Sequence, residues 1–99
     1  MIEEFKKSGP NTVVSTNGFT VKVKLAGGVL YCDSNGEREI DSEWLVKPPN
    51  LGIILYKGSR GNKGFDNMEQ SRIDSIFCDT ARALEYLGHR VEIWSSPSG

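Results

Sequence analysis

Phe19-Thr20-Val21-Lys22-Val23-Lys24-Leu25 alternates apolar and polar side chains without a break. A strand repeats every two residues, so Phe19, Val21, Val23 and Leu25 share one face while Thr20, Lys22 and Lys24 share the other, the pattern of a half-buried strand. Turn signals surround it. Asn17-Gly18 stands just before and Asn35-Gly36 further on, and Asn-Gly best tolerates the positive φ that a two-residue type I′ hairpin needs at both central positions. Gly27-Gly28 offers a third turn. The first half of the chain therefore reads as an antiparallel meander with strands near 12–16, 19–25, 29–34 and 37–44.

Pro48-Pro49 then stops ladder pairing, because proline has no N–H to give. Leu51-Gly-Ile-Ile-Leu-Tyr-Lys57 is almost continuously apolar, which predicts a central strand covered on both faces. A glycine-spaced loop follows over 58–64. Asp66 with Glu69 three residues on suggests a capping box opening a helix, and Gly88 closes it. At 100° per residue, Ile73, Ile76, Phe77, Thr80, Leu84 and Leu87 form one stripe with Arg72 and Ala83 at its margin, while Ser71, Arg82 and Glu85 lie opposite. Cys78 falls off the stripe. Arg90-Val-Glu-Ile-Trp94 alternates again as a last strand. The expected fold class is α+β: an antiparallel β-meander packed against one amphipathic helix, followed by a final strand.

A chain of 99 residues fits one domain over 1–99, its core near 12–94, with 1–10 and 95–99 expected to be flexible ends. Hydrophobic residues make up 37% and charged residues 25%, which excludes a disordered composition, and the apolar run after residue 50 is far too short to cross a bilayer. Met1-Ile-Glu-Glu-Phe-Lys-Lys7 meets a Ser8-Gly-Pro10 break before any apolar leader forms, so a cytoplasmic location is expected. Cys32 and Cys78, the only two cysteines, have neither a Cys-x-x-Cys spacing nor a ligand spacing to His89, and read as free thiols. No metal, cofactor or catalytic residue is expected. His89 has no positioned carboxylate or nucleophile in any motif, and its simplest use is to sit near the negative end of the helix.

The net charge of −1 hides a segregation. Asp33, Glu37, Glu39, Asp41 and Glu43 are opposed only by Arg38, whereas Lys47, Lys57, Arg60 and Lys63 follow with no acid before Asp66. A hairpin turning at Asn35-Gly36 would set Asp33 opposite Arg38 and Tyr31 opposite Ile40, and would align Glu37, Glu39, Asp41 and Glu43 on one face. Carboxylates roughly 7 Å apart repel by about 0.6 kcal/mol per pair in water, a cost the isolated fold does not need. The ridge reads either as a solvated face balanced by Lys22 and Lys24, or as a mimic of phosphates that docks on a basic partner. Trp44 reads either as a core indole beside Ile40 or as an interface anchor. The partner-binding candidates are Glu37, Glu39, Asp41, Glu43 and Trp44. As an alternative, the basic loop at 57–65 could bind nucleic acid through Lys57, Arg60 and Lys63 with Tyr56 and Phe65 as stacking groups, although a pI near 5.8 opposes it.

The order of hairpins, Ser42-Glu-Trp-Leu45, the strand at 51–57, a loop, a helix and Gly88-His-Arg-Val-Glu-Ile93 resembles the small immunity proteins of bacterial polymorphic toxin systems. Over about residues 17–94 it is most similar to the immunity protein 74 family, some members of which accompany contact-dependent growth inhibition toxins. The resemblance implies a cytosolic, non-enzymatic inhibitor that binds one cognate toxin domain, often a nuclease. The acidic ridge fits that expectation separately, because nuclease sites are basic in order to hold phosphates.

Overall fold

Within the alternating stretch, Thr20–Val23 becomes the central strand of a five-stranded sheet. The structure is a computed structural model that describes residues 4–24, 28–45 and 52–94. Strands β1 (Phe5–Gly9), β2 (Thr12–Ser15), β3 (Thr20–Val23), β4 (Val29–Asp33) and β5 (Gly36–Ile40) pair antiparallel in chain order. A second sheet holds β6 (Ser42–Leu45), β7 (Gly52–Tyr56) and β8 (Val91–Trp94), with helix α1 (Gln70–Tyr86) between β7 and β8. β7 is central, antiparallel to β6 and parallel to β8. A parallel pair needs a crossover, and α1 supplies it. The expected α+β meander with one helix and a final strand is present.

Period-two alternation decides what is buried. Val13, Phe19, Val21, Val23, Val29, Tyr31 and Ile40 of the large sheet meet Ile53 and Leu55 of β7 and Ile76, Phe77, Ala83 and Leu84 of α1 in one core cluster. The stripe predicted for the helix is the face it buries, while Ser71, Arg82 and Glu85 are exposed. Gly88 ends the helix at φ +99°: its N–H donates to the Glu85 carbonyl at 2.9 Å and the His89 N–H to the Leu84 carbonyl at 3.1 Å, a Schellman closure. The capping box does not form. Phe65–Met68 turns on itself, with Asn67 at φ +61°, so Asp66 is used up before the helix begins and Glu69 caps without a side-chain bond.

Three further expectations change. The segment 1–10, expected as a flexible end, supplies edge strand β1, and Phe5 places its ring 6.3 Å from Phe19 and 5.6 Å from Tyr86. The hairpin between β2 and β3 has three loop residues: the Ser15 N–H bonds the Phe19 carbonyl, and Gly18, at φ +91°, returns its N–H to the Ser15 carbonyl. The β4–β5 hairpin turns at Ser34-Asn35, one residue early, because the Asp33 carboxylate accepts the Asn35 N–H at 2.8 Å. Tyr31 is thus opposite Arg38, and Asp33 opposite Gly36. The shift in pairing is two residues, so each side chain keeps its expected face. Leu25, Gly27, Pro48-Pro49 and residues 95–99 lie outside the described residues.

Candidate protein-binding surface

The acidic stretch is not one strand. At Asp41 the chain leaves the large sheet and joins the small one, and local bonds explain the break. The Asp41 N–H donates to Asn62 Oδ1 at 2.6 Å, its carbonyl accepts the Tyr56 N–H at 2.9 Å, and its Oδ2 accepts the Ser59 hydroxyl at 2.5 Å. Every backbone group that could have continued the ladder with β4 is used elsewhere. Glu37 and Glu39 therefore belong to β5, Asp41 to the junction, and Glu43 and Trp44 to β6. The expected four-carboxylate ridge is broken into three places.

Its members also differ in how they are balanced. Glu39 Oε1 accepts Lys24 Nζ at 2.7 Å and its Oε2 lies 3.7 Å from Lys63 Nζ; these ammonium groups hold the carboxyl below its usual range. Glu37 is exposed, with the Cys32 thiol 3.7 Å from its Oε2. Burial, and then Glu37 itself, push that thiol's pKa up. Glu43 accepts the Tyr56 hydroxyl at 2.9 Å.

Following Glu43 outward leads to residues the acidic pattern did not single out. The register places Glu43, Ile54 and Glu92 in one row across the small sheet, with Tyr56 and Trp94 in the next row on the same face. Tyr56 meets Trp94 edge-on at 5.8 Å, and Trp94 Nε1 lies 3.4 Å from Glu92 Oε1. Glu92 thus stands against an indole that is 46% exposed, and Glu43 lies across β7 against the tyrosine that the indole meets. The clue in sequence was the alternation of Arg90-Val-Glu-Ile-Trp94, which puts Glu92 and Trp94 on one side.

Trp44 is elsewhere. It is paired with Ile53 on the opposite, helix-facing side, 38% exposed, and its ring stands edge-on to His89 at 5.2 Å. It is neither a buried core indole nor part of the row that contains Glu43.

The basic loop is strapped to the sheets. Glu39 and Lys63 exchange two backbone hydrogen bonds of 2.9 Å, and Asn62 Nδ2 donates to the Tyr56 carbonyl at 2.9 Å. Arg60 and Lys63 remain exposed, but Tyr56 is buried and Phe65 packs on Phe77 at 5.8 Å, so neither ring is presented for base stacking. Among the described residues no group of His, Cys, Asp or Glu is arranged to hold a metal ion, and no helix is long and apolar enough to cross a membrane. No family model matches the chain, and no curated protein or solved structure does either.

Proposed function

We propose that this chain is a non-enzymatic binding protein whose small sheet docks a basic protein partner, and that the partner is a toxin domain, a nuclease by preference, which it neutralises in the cytosol. The observation that carries the binding reading is the cluster of Glu43, Tyr56, Trp94 and Glu92 on the outer face of the small sheet. A half-exposed indole in water leaves a large apolar face uncovered, and tryptophan is enriched among the few residues that dominate interface energy. Flanking carboxylates add a preference for Lys or Arg, which can lie on the indole face while pairing with Glu43 or Glu92. The resemblance to immunity proteins supplies the toxin, and the acidic framing suits a partner built to grip phosphates.

The nucleic-acid alternative lacks support of this kind, because the aromatic groups it needs are engaged in packing. The test is co-expression with the product of the adjacent reading frame. Growth protection and a direct complex are expected, both weakened by Trp94→Ala and by Glu43→Lys with Glu92→Lys. A neighbouring product that is not toxic, or protection untouched by all three changes, overturns the reading.

A further inference from the structure

The margins of the large sheet are guarded against pairing with another chain. β1 carries Lys6 and Lys7 and a bulge between Lys7 and Gly9, and β5 has Lys63 of the strap bridged to its Glu39. β8 has no lysine, proline or bulge, and among the described residues no strand pairs with its outer edge. The carbonyls of Arg90 and Trp94 accept the N–H groups of Ile53 and Lys57 at 2.8 Å, so residues 90, 92 and 94 turn their backbone groups toward β7. Val91 and Ile93 therefore turn theirs outward. Gly52 lets Arg90 lie in the sheet as well: a Cβ there would stand 2.5 Å from the Arg90 carbonyl oxygen. Arg90, Glu92, Ile93 and Trp94 are all exposed, and among the described residues no ion pair reaches Arg90 or Glu92. The one charge within β8, Glu92, repels only a strand that meets it with a like charge.

We propose that β8 is the seam of a homodimer, in which a second copy of this chain lays its own β8 antiparallel along this edge with the two-fold axis at Val91. Registers centred on Val91, Glu92 or Ile93 all bring outward backbone groups against outward groups, and the side chains choose among them. A dyad at Glu92 sets two glutamates face to face, and one at Ile93 sets each Glu92 against a Trp94. A dyad at Val91 sets Arg90 of each copy directly opposite Glu92 of the other, so the same attraction forms twice across one isologous contact. β6, the other edge of the small sheet, has Glu43 and no basic residue within Ser42–Leu45, and lacks this self-complementarity. The dimer joins two three-stranded sheets into one of six strands, with both Trp94 indoles on the same face. This inference is independent of the toxin reading, since Glu43 and Tyr56 lie on β6 and β7, inward of the seam.

The experiment is sedimentation velocity of the full chain alone, at low salt, up to about 1 mM. A seam this short should give a monomer–dimer equilibrium with a dissociation constant of about 100 μM. Arg90→Glu or Glu92→Arg alone places like charges at both pairs and should weaken the dimer about tenfold or more. An equimolar mixture of those two variants should dimerise to nearly the wild-type extent, because every carboxylate then faces a guanidinium. Glu43→Lys, which should weaken toxin binding, should leave the dimer in place. A chain that stays monomeric up to about 1 mM would overturn the proposal and leave the edge to a strand of another protein. A dimer unmoved by either single change, or single variants whose mixture does not recover it, would overturn it too. Loss of the dimer with Glu43→Lys, to the extent seen with Arg90→Glu, would move the contact from the edge to the face and reject the seam.

Discussion

Asp33 joins three parts of the molecule through one carboxylate. Its side chain is 8% exposed, and Oδ1 takes both the Asn35 N–H and Arg38 Nη1 at 3.0 Å, while Oδ2 takes Arg72 of α1 at 2.8 Å. Burial alone would push its pKa up, but the Asn35 N–H and the guanidiniums of Arg38 and Arg72 outweigh it and hold the carboxyl below its ordinary 3.8. A carboxyl depressed by folding contributes its full stability above that ordinary value and loses it as the pH falls through the folded-state value. Asp33→Asn should therefore cost about 2–3 kcal/mol at neutral pH, with the gap to wild type narrowing only below about pH 4, as read from denaturant midpoints across pH. A gap constant down to pH 2 would contradict this assignment. In the core, Phe77 is 1% exposed, and Phe77→Ala should cost about 3–5 kcal/mol. Arg82→Ala, on the exposed face of the same helix and paired with Asp79, should stay within about 0.5 kcal/mol by thermal melting. Equal losses would mean that α1 buries the other side.

At the scale of elements, the strap over 58–64 divides residues that look alike in sequence. Asn62 bridges the Asp41 N–H and the Tyr56 carbonyl, so Asn62→Ala removes two hydrogen bonds at the seam between the sheets and should cost about 1–3 kcal/mol in urea titrations. Changing Arg60 and Lys63 together to Ala leaves the strap's backbone bonds in place and should move stability by no more than about 0.5 kcal/mol. The same division explains what could be read in advance. Phe19 to Val23 and the helix stripe carry strong periodic patterns, β7 an unbroken apolar run, and the buried residues of each lie where that pattern places them. The split of the acidic strand at Asp41 was not legible, since it is decided by an asparagine and a serine about twenty residues further along the chain, which no local pattern encodes. β1 escaped notice for a related reason. Phe5-Lys-Lys-Ser-Gly9 has a single apolar residue, and its place at the sheet edge depends on packing against distant Phe19 and Tyr86. Of the candidate site, Glu43 was readable from alternation, but its companions Trp94 and Glu92 come from a strand that reaches the same face only through the parallel pairing with β7.

For the whole molecule, one core built from both sheets and the helix should hold without metal or disulfide: Cys32 and Cys78 are free thiols. Chelator and reductant are expected to leave the far-ultraviolet circular dichroism spectrum unchanged, and a large loss on adding either would contradict that. What distinguishes the outside of this molecule is the outer face of its small sheet, where Trp94 stands exposed between a glutamate on its own strand and a tyrosine held by a glutamate from β6. If that face docks a basic toxin, charge steers the encounter and the indole anchors the complex, so the two contributions separate kinetically. The direct measurement is association and dissociation of the chain with the product of the adjacent reading frame, at low and high salt. Glu43→Lys with Glu92→Lys should slow association at low salt, with the difference shrinking as salt rises, whereas Trp94→Ala should speed dissociation by about 30-fold or more and leave association nearly unchanged. Wild-type rates in all these variants, in a chain that still melts normally, would place the contact elsewhere and contradict the account.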